Sequence, residues 1–452
     1  MSGKSKERPN IVLINCDDLG YGDIGCYGSP LNRTPALDRL ASEGVRFTDF
    51  YMAAPVCSPS RGAMMTGCYP TRIGFGWFKY RWVLLPGHEV GLNPEEITFP
   101  KLLQEAGYAT KLVGKWHCGD QKPFLPTKHG FDSYYGLPYS NDMGMQGNKP
   151  TYPPLPLMRD EEVVQEQPDQ AALTERYVED CIRFIRTNRD NPFFLYFAHM
   201  YVHTPLFVPP RFLNEARNGP YGAAVECIDW AADAILYELE RCGLTDNTLV
   251  IFTSDNGSTA RNGGSNAPLR GKKGTTWEGG QRVPCIMRWP GEIPPGTVCR
   301  EVATAMDFYP TLVDLADGDM PKDRIIDGKD IRSLMCEPGA ADSPHETFFY
   351  YLKNNLEAVR WGKWKLHVHK GDIAIRELYD LEADIGETTN LCEQHPDIVR
   401  KLEQRLHECR EDIGDDVTGV TGRNVRPHGE VGTPDTVTHY DPAHPYMIAM
   451  YD

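Results

Sequence analysis

Apolar runs alternate with helix-forming segments along most of the chain. Four runs have the length and composition of buried strands, at residues 11–15, 108–113, 193–198 and 248–253. The segments between them carry the periodicity and end signals of helices, at residues 34–43, 98–107, 169–188 and 222–242. Strands separated by helices of this length predict βαβ units, and therefore an α/β fold in which a mostly parallel sheet is sandwiched by helices.

Prolines and glycines mark the ends of these helices. Thr34 is a suitable N-cap, Pro35 takes the first helical position, and Gly44 follows the last turn. The same signals predict a short helix over residues 60–66 that ends at Gly67. The proline and glycine signals therefore agree with the periodicity, and they place the segment before residue 60 at a helix N-terminus.

The pattern changes after about residue 344. Short strand-like stretches follow at residues 347–352, 358–360 and 364–368, and a helix follows over residues 396–412. A chain of 452 residues is also too long for one core. We therefore predict a large α/β domain over residues 1–343 and a smaller C-terminal α+β subdomain with its tail over residues 344–452.

One insertion interrupts the alternation in the large domain. Residues 136–167 are rich in Pro, Gly and Met. These residues are typical of loops, and we expect the segment to form loops over one edge of the sheet.

The charge of the chain restricts its partners. It contains 47 Lys and Arg against 63 Asp and Glu, which gives a formal net charge of -16. The resulting field repels phosphates, so we expect neither a nucleic acid nor a membrane as a partner. An anionic substrate must therefore meet a local cluster of basic residues.

The sequence also indicates a compartment. The polar N-terminus leads into an apolar run at residues 11–14 that is too short for a secretion signal, and no segment approaches the roughly 20 apolar residues of a membrane helix. Thirteen cysteines, an odd number without short paired spacings, fit a reducing compartment better than a disulfide framework or a zinc site. We therefore expect a soluble, cytoplasmic protein.

Chemically reactive side chains follow all four predicted strands. In an open parallel sheet, ligands bind outside the carboxyl ends of the strands, so these side chains are expected to share one crevice. They are, in chain order, Asp17 and Asp18, Lys115 and His117, His199 and His203, and Asp255 and Asn256.

The acidic pairs at two of these strand ends suggest a cation site. Asp17, Asp18, Asp255 and Asn256 offer only oxygen, which favours Ca²⁺ or Mg²⁺ over zinc. Either pair alone is more typical of a turn or a helix cap. Two such pairs at two strand ends make the cation site the better interpretation.

A glycine pattern beside the first acidic pair resembles a dinucleotide motif. Gly20, Gly22 and Gly25 match G-x-G-x-x-G after a strand. However, Asp17 and Asp18 would face the pyrophosphate, and no helix is expected to open at the third glycine. We therefore reject a dinucleotide site.

The most specific segment is CSPSR, from Cys57 to Arg61. Pro59 stands where the short helix would begin, so Cys57 lies at a helix N-terminus, where an anion is stabilised. A lone cysteine is ordinarily a small buried apolar residue, and we accept that interpretation for the other twelve. An unmodified thiol at position 57 would be a poor Ca²⁺ ligand, so an ordinary cysteine does not fit beside the predicted set of oxygen ligands.

With these motifs, the chain resembles the type I sulfatase family, in its arylsulfatase A and N-acetylgalactosamine sulfatase branch. The family signature is C-x-P-x-R, in which the cysteine is converted to Cα-formylglycine. The resemblance covers nearly the whole chain and rests on CSPSR together with NIVLINCDDLGYGD near the start, VGKWHCG at 113–119, HTPL at 203–206, TSDNG at 253–257, LRGKKGTTWEGGQRVP at 269–284 and ELYDLEADIGETTNL at 377–391. It implies an alkaline-phosphatase-like fold, a sulfatase activity and a formylglycine-generating enzyme as a maturation partner.

The resemblance also implies a role for each matched residue. Ca²⁺ would be held by the modified Cys57 together with Asp17, Asp18, Asp255 and Asn256. Arg61 would hold the formylglycine hydrate, and sulfate oxygens would be bound by Lys115, Lys273 and, in a looser match, Ser140. His117 would be the base that regenerates the aldehyde, and His203 would protonate the leaving alcohol with help from Lys273. His199 does not match a family position, and we expect it to be a packed histidine.

These roles make physical sense in an acidic protein. A sulfate ester carries negative charge, which Arg61, Lys115, Lys273 and a dication would neutralise locally and stabilise in the transition state. Histidine has a pKa near neutrality and is suited to proton transfer. The implied mechanism is covalent, with position 57 as the nucleophile.

The sequence indicates the substrate less specifically than it indicates the reaction. The branch resemblance favours a carbohydrate sulfate ester, on galactose or N-acetylgalactosamine, derived from a glycosaminoglycan. The segment FGWFKYR at 75–81, with His367, His369 and His428, is a candidate sugar subsite, although ordinary loop and packing roles explain these residues equally well.

Two other functions remain open at this point. One is a phosphodiesterase or phosphonate monoester hydrolase of the same superfamily, since the same nucleophile and dication serve phosphorus esters. The other is a catalytically silent glycan-binding protein in which Cys57 stays a thiol.

Overall fold

The computed structural model describes residues 8–145 and 152–446. Its strands, in chain order, are β1 (Asn10–Cys16), β2 (Val45–Phe47), β3 (Phe50–Tyr51), β4 (Val90–Gly91), β5 (Ala109–Lys115), β6 (Ser133–Leu137), β7 (Pro156–Arg159), β8 (Glu162–Glu166), β9 (Phe193–Ala198), β10 (Thr248–Ser254), β11 (Cys285–Arg288), β12 (Thr297–Cys299), β13 (Ala303–Thr304), β14 (Thr347–Leu352), β15 (Asn355–Trp361), β16 (Trp364–Lys370), β17 (Ile373–Asp380), β18 (Gly414–Asp415), β19 (Val420–Thr421) and β20 (Gly429–Glu430). Its α-helices are α1 (Pro35–Ser42), α2 (Cys57–Thr66), α3 (Phe99–Glu105), α4 (Leu173–Thr187), α5 (Pro210–Leu213), α6 (Gly219–Arg241), α7 (Glu278–Gln281), α8 (Phe308–Leu315), α9 (Arg332–Cys336) and α10 (Pro396–Asp412).

The large sheet has the strand order β12-β2-β11-β10-β1-β9-β5-β6-β7-β8. Its centre, from β10 through β1, β9 and β5 to β6, is parallel, and antiparallel strands flank this centre on both sides. The four strands predicted from apolar runs are all present and lie side by side in this centre. The prediction of a mostly parallel sheet is therefore confirmed.

Helices cover both faces of the sheet. Side chains alternate between the faces along a strand, and β1 shows this directly. Ile11 and Leu13 belong to one apolar cluster, together with residues of α2, α3 and α8. Val12 and Ile14 belong to a second cluster, with residues of α1, α4 and α6. The sheet is thus sandwiched between two helical layers, as the continuous apolar strands predicted.

The prediction that residues 136–167 form loops over one edge of the sheet is wrong where two strands form. Strands β7 and β8 lie in this segment and extend the sheet antiparallel at its edge, next to β6. Pro156 begins β7, and no residue of Glu162–Glu166 is buried, so the segment lacks the apolar run of a central strand. Edge strands of this kind take their conformation from pairing with the sheet. The part of the segment at 146–151 lies outside the described residues.

A second, antiparallel sheet of β14 to β17 forms the core of the C-terminal region, with α10 packed on it. The helix and three of the strands lie where the sequence predicted them. Strand β17 was missed because its first half is exposed and lacks a clear alternation. The boundary at 343/344 stays a prediction, and strand β20 of the tail pairs with β4 of the large domain.

The glycine segment after β1 forms two 3₁₀ turns, Tyr21–Asp23 and Gly25–Tyr27, and the first α-helix begins at Pro35. This geometry agrees with the rejection of a dinucleotide site. In the described part of the chain, no helix combines the length and the apolar character needed to cross a bilayer.

Candidate active site

The carboxyl ends of the parallel strands bring the predicted residues together. Cys16 at the end of β1 pairs with Ser254 at the end of β10, so the acidic pairs that follow these strands are neighbours. The amide of Asp255 donates to the carbonyl of Cys16 at 3.0 Å, and the amide of Asp17 donates to Tyr201 at 2.9 Å. Sheet register thus places residues more than 200 positions apart in one crevice.

A compact acidic cluster occupies this crevice. Oxygens of Asp17, Asp18 and Asp255 and the Cys57 sulfur all lie within 4.8 Å of one another, and all four side chains are buried. The Asn256 amide donates to Asp18 Oδ1 at 2.8 Å. The Asn256 oxygen is buried and has no hydrogen-bond partner within the described residues, so it is available as a further ligand.

Each carboxylate of the cluster is paired with its own cation. Lys115 Nζ lies 2.5 Å from Asp17 Oδ2. Lys273 Nζ lies 2.7 Å from Asp18 Oδ1. Arg61 Nε lies 2.8 Å from Asp255 Oδ2. The three cations that the sequence placed at the sulfate site therefore all converge on the acidic cluster.

The buried charges shift each other's pKa. Burial and the neighbouring Asp17 carboxylate raise the pKa of Asp255 to about 7. Burial alone would also raise the pKa of Asp17, but the neighbouring positive charges, Lys115 foremost, together outweigh burial and hold this pKa well below its usual range. Two carboxylates this close repel each other, and this repulsion is what a bound dication relieves.

Cys57 is the first residue of α2, and Val56 before it is extended. Burial and Asp17 both raise the pKa of the Cys57 thiol, whose sulfur lies 3.5 Å from Asp17 Oδ1. Ser60, one turn on, donates to the carbonyl of Asp255 at 2.5 Å and ties the helix to the β10 end. A thiol kept protonated in this way is neither a nucleophile nor a metal ligand.

Two histidines line the crevice with different surroundings. His117 is fully buried, and burial together with Lys115 lowers its pKa well below the usual value, so the ring is neutral. Its Nε2 donates to the carbonyl of Leu84 at 3.0 Å, which leaves Nδ1 as an unpartnered acceptor among the described residues. His203 donates from Nδ1 to the carbonyl of Thr204 at 2.7 Å, and its Nε2 lies 3.9 Å from Asp18 Oδ2.

Two site residues have a strained backbone. Asp18 and His117 both have a φ of +63°, a conformation that side chains other than glycine rarely adopt. The His117 amide donates to the carbonyl of Pro138 at 3.1 Å, which holds this conformation in place. Non-glycine residues of this kind concentrate at functional sites, where the surrounding structure supports the strain.

The crevice opens into a cavity of about 380 Å³. Cys57, His117, Ser140, His203 and Lys273, which the sequence predicted, line it. Lys115 lies beneath, where its ammonium donates to Ser140 Oγ at 3.3 Å. The sequence did not predict the remaining lining residues, which are Val56, Trp82, Val83, Asp142, Met143, Thr259, Arg261, Lys272 and Gly274.

The residues of the predicted sugar subsite do not line this cavity. Phe75 and Phe78 are fully buried in the core and pack edge to face. His367 is fully buried 2.8 Å from Glu387. His428 donates a hydrogen bond from Nδ1 to the carbonyl of Gly74 at 3.1 Å. Trp82, one position after the predicted segment, is the aromatic residue that lines the cavity. His199 is a packed histidine, with Nδ1 accepting from the amide of Tyr201 at 2.9 Å.

Taken together, an α/β sandwich with an acidic cluster, paired cations and two histidines at its strand ends has the features of a hydrolase for anionic esters. The chain matches the sulfatase family over residues 9–318 and the C-terminal region of N-sulphoglucosamine sulphohydrolase over residues 272–412. It belongs to the sulfatase family and is a sulfuric ester hydrolase.

Two relatives and two solved structures illustrate the relationship. The rat (Rattus norvegicus) N-acetylgalactosamine-6-sulfatase is 42% identical over 386 residues, covering 81% of this chain and 73% of the relative. Human (Homo sapiens) arylsulfatase A is 37% identical over 446 residues, covering 88% and 86%. The structure of Ps i-CgsB in complex with k-i-k-neocarrahexaose is 30% identical, with a TM-score of 0.79 over 89% of this chain and 92% of that one. The phosphonate monoester hydrolase of Agrobacterium radiobacter, 20% identical with a TM-score of 0.63 over 89% and 95%, shares the fold.

Proposed function

We propose that the protein hydrolyses a sulfate ester on a carbohydrate of the galactose or N-acetylgalactosamine type, derived from a glycosaminoglycan, with a formylglycine at position 57 and Ca²⁺. The observation that carries this proposal is the convergence of three carboxylates and three cations on Cys57. Such a site holds a dication and a tetrahedral anion side by side.

The donor set fits Ca²⁺. Asp17, Asp18, Asp255 and Asn256 offer hard oxygen ligands. The Asn256 side-chain oxygen, which has no hydrogen-bond partner among the described residues, lies buried beside Asp18. Burial, followed by repulsion from the Asp17 carboxylate, raises the pKa of Asp255 to about 7. A bound Ca²⁺ supplies positive charge that polarises the sulfate oxygens.

Position 57 fits a formylglycine better than a cysteine. The raised pKa of the thiol leaves it protonated beside the Asp17 carboxylate. Formylglycine replaces sulfur with oxygen and, as its hydrate, supplies a hydroxyl nucleophile. The modification makes a formylglycine-generating enzyme a necessary maturation partner.

The basic residues bind and neutralise the sulfate. Lys115 is a fully buried cation and Lys273 a partly buried one, both next to Cys57, and Ser140 adds a hydroxyl within 3.3 Å of Lys115. Arg61 is fully buried and has a guanidinium nitrogen without a hydrogen-bond partner in the described part of the chain. This nitrogen is free to hold the group at position 57. In a site shielded from water, these contacts stabilise the charge that develops in the transition state.

The histidines move protons on the two sides of the reaction. Nδ1 of the neutral His117 is an unpartnered acceptor in the described residues and serves as the base. His203 presents Nε2 at the cavity wall and donates a proton to the leaving alcohol. Lys273 lines the same wall and assists.

The cavity supports a sugar as the leaving group. Its volume of about 380 Å³ accommodates a monosaccharide beyond the sulfate. The Trp82 side chain is 46% exposed at the cavity wall and offers a flat apolar face for a sugar ring. Consistent with this, one relative is an N-acetylgalactosamine-6-sulfatase, and one structural neighbour holds an oligosaccharide.

Replacement of Cys57 by Ala tests the nucleophile. We expect turnover of every sulfate ester to be lost, whereas the fold is retained. Mass spectrometry of the peptide spanning residue 57 in active protein should show formylglycine, and an unmodified cysteine in fully active protein would contradict the proposal.

Parallel assays test the substrate. We expect sulfated galactose and N-acetylgalactosamine to be hydrolysed faster than phosphate mono- or diesters of the same sugars. Preference for phosphorus esters would instead identify a phosphodiesterase or phosphonate monoester hydrolase, and glycan binding without turnover would identify a silent binding protein.

A further inference from the structure

A buried ionic cluster joins the C-terminal sheet to the segment that carries Lys273. We call residues 270–282 the lysine loop. Lys365 Nζ on β16 lies 2.8 Å from Glu278 Oε1 in this loop and 2.9 Å from Glu387 Oε1. All three side chains have 0% exposure. Lys365 also donates to the carbonyl of Thr276 at 2.9 Å.

The C-terminal region also forms hydrogen bonds with the backbone and side chains of the lysine loop. Glu387 Oε2 accepts from the amide of Glu278 at 2.8 Å, and the Glu387 carbonyl accepts from Arg270 Nη1 at 2.7 Å. The Thr276 hydroxyl donates to Glu357 Oε2 at 2.5 Å. Residues at the start and in the second half of the loop are therefore fixed by groups that belong to the second sheet and its following segment.

The lysine loop is rich in glycine, and hydrogen bonds of its own, such as that from the Gly279 amide to the Arg270 carbonyl at 2.7 Å, join only part of it. Gly271 and Gly274 have φ values of +84° and +78°, which glycine adopts without strain. Gly279 and Gly280 follow in α7, which is only four residues long. Glycines widen the range of conformations available to a loop, so its contacts must select one of them.

The other side of the loop faces the active site. The Lys273 amide donates to the carbonyl of Ser258, and the Gly274 amide donates to the carbonyl of Pro55, both at 2.9 Å. The Lys273 ammonium reaches Asp18 at 2.7 Å. The loop thus spans the gap between the buried ionic cluster and the acidic cluster around Cys57.

Stability alone does not explain three buried charges. Each charge costs free energy to bury, and apolar replacements of such clusters are often equally stable. Buried ionic groups can instead select one conformation among several. We infer that Lys365 and Glu387 are positioning residues, which hold the lysine loop so that Lys273 meets the substrate sulfate. This inference rests on the proposed sulfate-binding role of Lys273.

A double-mutant cycle tests the inference. Glu387→Gln keeps the size and one acceptor oxygen but removes the charge. We expect it to lower kcat/KM for p-nitrophenyl sulfate, and the affinity for inorganic sulfate measured by calorimetry, by about 10- to 100-fold. In a Lys273→Ala background the same change should have little further effect, because both substitutions act through one group. Lys365→Met should behave in the same way.

Arg410→Gln is the matched control. It breaks the ion pair of 2.8 Å between Arg410 and Asp415, which lies in the same C-terminal region and does not contact the lysine loop. We expect this variant to lose thermal stability but keep its kcat, KM and sulfate affinity.

Several results would overturn the inference. One is a Glu387→Gln variant with wild-type kinetics. Another is a loss of equal size with and without Lys273, which would show a purely structural role. If Lys365→Met does not fold, Glu387→Gln carries the test. If Lys273→Ala alone leaves the affinity for sulfate unchanged, Lys273 does not bind the sulfate as proposed. This outcome differs from the two above, which reject only the positioning role of Lys365 and Glu387.

Discussion

The Lys115 ammonium lies 2.5 Å from the Asp17 carboxylate, and both side chains are completely buried. The two residues stand at or just beyond the ends of β5 and β1, so the pair bridges the strand β9 between them. A buried pair of this kind costs free energy to desolvate and is weak evidence for stability. Its place beside Cys57 agrees with the proposed role of the ammonium in binding the substrate sulfate.

This relationship predicts different outcomes for two lysines on one strand. Lys111, also on β5, forms an ion pair of 2.8 Å with Asp180 at the far end of the strand. We expect Lys115→Met to lower kcat/KM by about 100-fold or more, as for loss of a transition-state contact. Lys111→Met should lower the thermal midpoint and leave kinetics intact. Equal activity in the two variants would contradict the sulfate-binding role of Lys115.

Calcium is expected to stabilise the folded protein. A ligand that binds only the folded state adds about 2.7 kcal/mol at 100 times its Kd. EGTA should therefore lower the thermal midpoint and activity, and added Ca²⁺ should restore both. Asn256→Ala should weaken the Ca²⁺-dependent shift. Asp229→Asn is the control, because this buried carboxylate accepts from the amides of Ala36 and Leu37 and lies outside the acidic cluster. A thermal midpoint that stays the same with and without Ca²⁺ would argue against the metal site.

Acid should destabilise the fold through His129. Burial lowers the pKa of this ring to about 3, and neither ring nitrogen has a partner within the described residues. The unfolded side chain has a pKa of about 6.5, so below that pH the unfolded state binds a proton that the folded state does not. Stability therefore falls as the pH drops from about 6.5 to about 3, by roughly 2.7 kcal/mol at about pH 4.5 from this group.

Urea unfolding of His129→Leu at neutral and acid pH measures this effect. The variant should lose less stability than wild type on acidification, by about the amount given above. His439→Leu, at a largely exposed position, should follow the wild type. An unchanged pH dependence in His129→Leu would show that other groups control acid unfolding.

The cavity rim predicts a preference for substrates with a second negative charge. Arg261 and Lys272 line the cavity, are exposed, and have no ion-pair partner in residues 8–145 and 152–446. In a chain of net charge -16, free cations at this mouth attract an additional anionic group. We expect Arg261→Gln combined with Lys272→Gln to raise KM for a disulfated sugar about 10-fold at low salt, with kcat unchanged.

A neutral arylsulfate is the control substrate for this pair of substitutions. Its KM should change much less, and added salt should reduce the difference between the two substrates in the wild type. An identical change in KM for both substrates would show that the two side chains contact the scissile sulfate or support the loop instead.

Much of the fold and site was present in local sequence patterns. The apolar run at 193–198 and the proline and glycine signals around α1 and α2 placed their elements within a few residues, because burial and backbone conformation at these points depend on neighbours in the chain. The position of Cys57 at a helix N-terminus followed from Pro59 and Gly67 in the same way.

Other features had no local signal. Strand β7 has only four residues, and the first half of β17 is exposed without a clear alternation. Both form beside a neighbouring strand that offers them hydrogen bonds. Trp82 and Arg261 line the cavity through the packing of loops that are distant in sequence. Lys365 and Glu278 form an ion pair although they are 87 residues apart, and no periodic pattern in the sequence predicts such a contact.

The sequence by itself determined the class of fold, the positions of its central strands and the chemistry available at their ends. Only the tertiary structure decided which charges meet. Lys115 reaches Asp17, and Lys273 reaches Asp18, because strand order and loop packing set these distances. Side-chain pairing across a sheet depends on which strands are neighbours, and that is a property of the whole core rather than of any single segment.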